Sequence, residues 1–199
     1  MRTYNELNTF LEWTREEKDH FSVNVIKGLI MDGIRKANSG HPGGAMSSAD
    51  FAYILFSKML KLDPDNPDWV NRDRFVLSAG HESMLLYSLL FMNGWMQMDD
   101  IKSFRQLNSL TPGHPEVELP GVECTTGPLG QGVGMGVGMA VAEAILNHLF
   151  EDKKTPNPVN HYTYILAGDG DLQEPIVFGA AALAGHWKLA KIIMYYDSN

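Results

Sequence analysis

Apolar residues recur at helical spacing through the first part of the chain, and this pattern predicts a helix over residues 16–38. The next residues, 39–44, contain glycines and a proline that cannot continue that helix, so we expect a loop there. Similar patterns predict apolar helices at 51–60, 83–93, 139–149 and 175–184, and a polar helix at 99–107.

Short apolar strands are predicted at residues 74–78, 162–167 and 191–196, between these helices. Strands that alternate with helices are typical of an α/β domain with a parallel sheet flanked by helices. Ligands of such sheets bind beyond the carboxyl ends of the strands. Residues 108–126 form a long, proline-containing loop, and loops of that length in compact domains tend to be functional.

Composition narrows the class of protein. The 199 residues include 16 Lys+Arg against 24 Asp+Glu, for a formal net charge of −8. This charge disfavours non-specific binding to nucleic acid or to an anionic membrane. A single cysteine, Cys124, excludes an intrachain disulfide framework and any CxxC site. Because the N-terminus lacks signal-peptide features and no apolar run approaches the ~18 residues of a membrane span, we expect a cytoplasmic protein.

The turn Gly168-Asp169-Gly170 follows a predicted strand and leads towards a helix, an arrangement that binds phosphate through backbone N–H groups. A carboxylate at this position would repel a diphosphate unless a divalent cation lay between them. Asn199 follows the next predicted strand, and parallel neighbours lie about 4.8 Å apart, so its amide oxygen could share that cation. Alternatively, Asp169 caps the following helix and Asn199 is a turn residue.

Several segments occur together in an order and spacing that resemble the N-terminal, thiamine diphosphate-binding part of the transketolase family. Besides GDG and DSN, they are KANSGHPG at 36–43, RDRFVLS at 72–78, GH at 80–81, FRQL at 104–107, TPGHPE at 111–116, TGPLGQG at 126–132 and HYTY at 161–164. The resemblance implies a thiamine diphosphate-binding fold and transfer of a two-carbon ketol unit from a ketose to an aldose, usually as sugar phosphates.

The resemblance also implies the cofactors and their ligands. Asp169 and Asn199 would bind Mg²⁺, or Ca²⁺ or Mn²⁺ in its place, and the metal would anchor the diphosphate of thiamine diphosphate. The remaining cofactor contacts would come from His81, Gly127, Pro128, Leu129, Gly170 and Glu174, with Glu174 belonging to a carboxylate network that crosses a subunit interface. Asp171 would add negative charge near the metal, so the substrate could differ from the common pentose phosphates.

Three histidines, at positions 41, 81 and 114, each follow a glycine in a predicted loop. From the residues alone, each could be an ordinary loop histidine. The resemblance implies that His41 handles protons at the reacting carbonyl, that His114 binds the donor hydroxyls, and that both are catalytic.

For Gly134, Gly136 and Gly138 we predict close helix packing.

The resemblance covers about residue 20 to the C-terminus. We therefore expect residues 1–199 to be a diphosphate-binding domain truncated at its C-terminus, without the pyrimidine-binding and C-terminal domains, and inactive alone. The expected partners are sugar phosphates and either a second copy, forming a homodimer, or a second chain carrying the pyrimidine-binding domain. Dihydroxyacetone synthase, 1-deoxyxylulose-5-phosphate synthase and a non-catalytic interaction module are the alternatives.

Overall fold

A computed structural model describes residues 3–152 and 154–198. Its sheet contains three parallel strands, β1 Arg74–Leu77, β2 Thr163–Gly168 and β3 Ile192–Asp197, in the order β1-β2-β3. The register pairs Leu77 with Leu166 and Gly168 with Asp197, so all three strands end at one edge. The predicted α/β class and parallel sheet are confirmed.

Eight α-helices are described. They are α1 Arg15–Ala37, α2 Pro42–Ser47, α3 Ala49–Ile54, α4 Ser83–Met92, α5 Met98–Lys102, α6 Gln131–Leu149, α7 Asp169–Gln173 and α8 Pro175–His186. A 3₁₀ turn precedes α1 at Tyr4–Glu12, a π-helical turn follows α3 at Leu55–Met59, and a 3₁₀ turn at Gly80–Glu82 connects β1 to α4.

The first long helix has clear signals at both ends. Thr14 and Glu17 form a capping box at its N-terminus, which satisfies backbone N–H groups that the helix leaves free. Asn38 ends it in the left-handed conformation, with φ of 50°. Ile26 and Ile30 lie on its buried face, so the predicted helix over 16–38 is confirmed within one residue at each end.

The segment after α1 differs from the sequence prediction. Residues 42–47 form a short helix with Pro42 in its first turn, where the missing N–H group of proline costs nothing. The helix predicted over 51–60 is instead α3 followed by the π-helical turn, and the polar helix predicted over 99–107 is confined to α5.

Helix α6 begins at Gln131 rather than at the predicted residue 139, so it contains Gly132, Gly134, Gly136 and Gly138. An added Cβ would lie 2.5 Å from the Ser78 Cα at Gly132 and 2.6 Å from the Ile165 side chain at Gly136, so the helix approaches the sheet closely there. A Cβ added at Gly134 would make only ordinary contact with Ile176, and one added at Gly138 would meet no described atom within 4 Å outside the backbone of its own helix. Close packing is therefore confirmed for Gly136 and wrong for Gly138.

Two apolar layers enclose the sheet. The larger lies between the sheet and helices α1 and α4, and the smaller lies under α6. Helix α6 is long and apolar enough to cross a membrane by length and composition, contrary to the expectation that no run would approach this limit. This helix packs on β1, β2 and α8, and the core helix of a soluble protein meets the same criterion.

Candidate functional site

The turn after β1 places His81 at the carboxyl edge of the sheet. Gly80 lies so close to the Thr126–Gly127 backbone that an added Cβ would be 2.8 Å from the Gly127 nitrogen. The Thr126 hydroxyl donates to the Leu77 carbonyl, which fixes the two segments together. His81 is half-buried, and this burial lowers its pKa, with a further contribution from the neighbouring His41.

His41 reaches the same edge from the other side. It is the N-cap residue of α2, and its exposed ring meets the ring of His81 edge-on, with centroids 5.2 Å apart and planes inclined at 76°. The short helix that the sequence did not predict therefore fixes where this histidine lies.

His114 lies on the long loop that was predicted to be functional. Helix α4 holds this loop, because the Ser83 hydroxyl donates to the Gly113 carbonyl and the Tyr87 hydroxyl donates to the Pro112 carbonyl, each at 2.9 Å. The imidazole of His114 packs against Gly127, where an added Cβ would be 3.3 Å from its Cγ. Partial burial lowers the pKa of His114, and Arg105 and His41 lower it further.

The segment 127–130 lies against the residues that follow β2. Gly127 and Gly130 have φ of 149° and 79°, values that favour glycine. An added Cβ would lie 2.7 Å from Leu129 at Gly170, and 2.7 Å from the Cβ of Glu174 at Gly130. The predicted cofactor-binding residues 127–129, Gly170 and Glu174 therefore belong to one continuous surface, with Pro128 and Leu129 exposed on it.

Asp169 begins α7 directly beyond β2, as the sequence indicates. Because Gly168 pairs with Asp197, the end of β3 lies beside the strand end that leads into Asp169. The Tyr196 hydroxyl on β3 donates a hydrogen bond to the Asp169 carboxylate. Asn199, the second predicted metal ligand, lies outside the described residues. Within 3–152 and 154–198, no group of three or more His, Cys, Asp or Glu side chains is arranged to hold a metal ion.

Asp171 is buried beneath the sheet edge rather than exposed on it, and its effect on a metal at Asp169 stays a prediction. Its fully buried carboxylate accepts hydrogen bonds from the Ser78 hydroxyl at 2.5 Å, the Gly130 N–H at 2.8 Å and the Gly168 N–H at 3.0 Å. The carboxylate therefore ties together the carboxyl end of β1, the start of α6 and the end of β2. No pattern of spacing in the sequence signalled this role.

A second buried carboxylate, Glu82, was also missed. It is 1% exposed, and neither of its oxygens has a hydrogen-bond partner in the described part of the chain. Its carboxyl group packs on Gly44 of α2, where an added Cβ would also lie 3.1 Å from the Asp197 carboxylate at the end of β3. Burial raises its pKa to about 8, with smaller contributions from Asp197 and Asp171. Its position directly after His81 was the only available signal.

Comparison with known proteins gives one consistent family. The model for the transketolase thiamine diphosphate-binding domain matches residues 18–199. Over 183 residues the chain is 55% identical to a transketolase from Halalkalibacterium halodurans, covering 91% of this chain and 27% of that protein. A transketolase from Aquifex aeolicus is 50% identical over 188 residues, covering 94% of this chain and 27% of that protein.

Solved structures give the same result. Transketolase from Leishmania mexicana superimposes with a TM-score of 0.88 at 48% identity, covering 91% of this chain and 27% of that chain. A Pichia stipitis transketolase in complex with sedoheptulose-7-phosphate has a TM-score of 0.87 at 44% identity, with the same coverage. The chain thus spans about a quarter of the length of these relatives.

Proposed function

The chain belongs to the transketolase thiamine diphosphate-binding domain family, and from this premise we propose that it supplies the diphosphate-binding part of an enzyme that transfers a two-carbon ketol unit from a ketose phosphate to an aldose phosphate. The observation that carries this proposal is the convergence of His41, His81 and His114 on the sheet edge at which β2 delivers Asp169. Sugar phosphates are the proposed substrates because related transketolases are named as complexes with sedoheptulose-7-phosphate and fructose-6-phosphate.

The residues of this edge fit thiamine diphosphate and a divalent cation. Asp169 offers a carboxylate at the start of a helical turn, and Asn199 would add an amide oxygen from the neighbouring strand end, a donor set that suits Mg²⁺, Ca²⁺ or Mn²⁺. Gly127 and Gly170 bring backbone into close contact with His114 and Leu129, and we propose that backbone N–H groups of this surface bind the diphosphate. We assign the cofactor contacts to His81, Gly127, Pro128, Leu129, Gly170, Glu174 and Asn199.

Thiamine diphosphate, when bound, supplies the electron sink for breaking and forming the carbon–carbon bond. The chain's own contribution is to position hydroxyl groups and to move protons at sugar oxygens. We assign proton transfer at the reacting carbonyl to His41, whose ring is exposed at the edge, and binding of donor hydroxyls to His114.

Partial burial supports these roles for the histidines. Because the pKa values of His81 and His114 are lowered, both rings are neutral at neutral pH and present one donor and one acceptor nitrogen. A neutral His114 ring can accept a hydrogen bond from a donor hydroxyl, whereas a charged imidazolium can only donate one. We therefore expect activity to fall as the pH drops through the pKa values of these histidines.

We further propose that the enzyme acts in the cytoplasm, in pentose phosphate metabolism, and that its site is completed by another subunit. That subunit is a second copy in a homodimer or a chain carrying a pyrimidine-binding domain. The 199 residues alone should not turn over xylulose 5-phosphate with ribose 5-phosphate, and turnover by this chain would contradict the need for a second domain.

The metal assignment can be tested by calorimetry on the protein at its full natural length. Thiamine diphosphate should bind with Mg²⁺ present and not with a chelator, and Asp169→Ala should abolish binding. Asp99→Ala is the matched control, because Asp99 is an exposed acid on α5. Unchanged affinity in Asp169→Ala would exclude this carboxylate as the anchor of the metal.

A further inference from the structure

Arg105 connects the two loops that carry His41 and His114. Its Nη1 donates to the Ser39 hydroxyl at 2.8 Å, two residues before His41. On its other side the guanidinium packs on Gly113, where an added Cβ would lie 3.0 Å from Nε and 3.2 Å from Cζ. Each contact is immediately next to a histidine loop, and the same planar group makes both.

The backbone at Arg105 is held in an unfavourable conformation. Its φ is 58°, in the left-handed region that non-glycine residues rarely adopt. The Arg105 N–H donates to the Thr111 carbonyl at 2.9 Å, which ties the start of the His114 loop to its own entry segment. Such a conformation persists only where surrounding contacts determine it, and functional sites are where it is usually found.

Phe104 contributes to the same bridge. Its side chain is 2% exposed, the Arg105 guanidinium lies 5.5 Å from its ring centroid, and its ring edge approaches Gly40, where an added Cβ would be 3.2 Å away. The turn before His41 therefore rests on Phe104 while its neighbour Arg105 bonds to Ser39. A groove of about 540 Å³ lies beside this bridge, lined by residues 105–107 and 112–114.

We propose that Arg105 is a positioning residue that sets the spacing of His41 and His114 by joining their loops. Only a planar group with several donors can bond to Ser39 and at the same time cover Gly113, so lysine is not an equivalent replacement. The positive charge also acts on His114 and helps to keep its pKa low, together with burial and with His41. The charged or titratable groups facing His114 are Arg105, His41 and His81.

This inference rests on the proposed function, and its test has one readout that does not depend on activity. Arg105→Gln, Arg105→Lys and Ser39→Ala are compared in the protein at its full natural length, with Lys102→Gln as control because Lys102 is an exposed cation on the same segment. One readout is the pKa of the His114 ring by NMR. The other is kcat/KM for ketol transfer as a function of pH with cofactor and Mg²⁺ present.

Arg105→Gln should raise the pKa of His114 and lower kcat/KM about tenfold, since small displacements of reacting groups are costly. Arg105→Lys should keep the pKa of His114 low and still lose activity, because an ammonium group cannot bridge both loops. Ser39→Ala should lower kcat/KM without moving the pKa of His114, and Lys102→Gln should change neither.

Full activity in Arg105→Lys would overturn the positioning role in favour of charge alone. An unchanged His114 pKa and unchanged activity in Arg105→Gln would overturn it altogether. If the parent protein lacks ketol transfer, the proposed function fails, and the bridge is then judged by the NMR readout alone: an unchanged pKa of His114 in Arg105→Gln would refute it.

Discussion

Two buried carboxylates lie at the same edge of the sheet and differ in what surrounds them. Asp171 accepts three hydrogen bonds, from Ser78, Gly130 and Gly168. Glu82 accepts none within the described residues, although it is 1% exposed. Burying a charged group is tolerated only when donors replace water. Asp171 can therefore stabilise the edge as a carboxylate, whereas burial raises the pKa of Glu82 and favours its protonated form. The site thus combines one carboxylate that holds β1, β2 and α6 together with one whose burial destabilises the folded protein when it is ionised.

The largest difference should appear on removing Asp171. Asp171→Ala leaves the Gly130 and Gly168 N–H groups and the Ser78 hydroxyl buried without their acceptor, and we expect a loss of about 3 to 5 kcal/mol of unfolding free energy. Urea unfolding at neutral pH measures this. Asp171→Asn, which keeps the shape and one acceptor oxygen, should lose less. A loss below about 1 kcal/mol for the alanine variant would show that the three hydrogen bonds are not the main support of this edge.

Replacing Glu82 should stabilise the protein rather than destabilise it, and the size of this effect should depend on pH. Its pKa is raised to about 8 from 4.5, so the unfolded chain releases this proton at a lower pH than the folded protein. Its contribution to stability therefore decreases as the pH rises from about 4.5 to about 8, and stays at its lowest above that. Glu82→Gln should remove this dependence and stabilise the protein at pH ~9 by on the order of 2 to 4 kcal/mol.

The measurement is the midpoint of urea unfolding from pH ~4.5 to pH ~9, in the parent and in Glu82→Gln. Glu123→Gln serves as the control, because Glu123 is paired with Arg72. Neutralising this paired carboxylate should destabilise the protein. Parallel curves for the parent and Glu82→Gln would mean that Glu82 is ionised and paired in solution.

The close contact between α6 and Ser78, the hydroxyl donor to Asp171, allows a test with an expected effect of intermediate size. Gly132→Ala would place a methyl group 2.5 Å from the Ser78 Cα, which is backbone and cannot rotate away, so we expect a loss of about 2 kcal/mol. Gly138→Ala, on the same helix but with no described atom of another segment within 4 Å of the new methyl group, should gain up to about 1 kcal/mol. Equal effects of the two substitutions in thermal unfolding would contradict the close contact.

The sequence was sufficient for the sheet and the long helices, because hydrophobic period and strand ends are local properties. The convergence of the three histidines was expected only from the family resemblance, because loops that are distant in sequence give no local signal of where they meet. The sequence was not sufficient to predict how deeply each helix is buried. Helices α4 and α8 are both strongly apolar, yet α4 has eight of its ten residues buried, whereas Val177 is the one buried residue of α8 within the described chain. What packs on a helix decides its burial, and its own composition does not. The roles of Asp171, Glu82 and Arg105 were missed for the same reason, since their partners lie far away in the sequence.

The smallest expected effects on stability are those of replacing Ser78 and Ser48, the serines beside Asp171 and Glu82. Ser78 donates to Asp171 and accepts the Val133 N–H at 3.2 Å, so Ser78→Ala should cost about 1 to 2 kcal/mol. Ser48 is equally buried and lowers the pKa of Glu82 slightly, but its hydroxyl makes no hydrogen bond of normal geometry to any described residue. Ser48→Ala should therefore change stability by less than about 0.5 kcal/mol near pH ~6. If both serines cost the same in urea unfolding, Glu82 would be accepting a hydrogen bond from Ser48 in solution, and the two carboxylates would not differ in the way argued above.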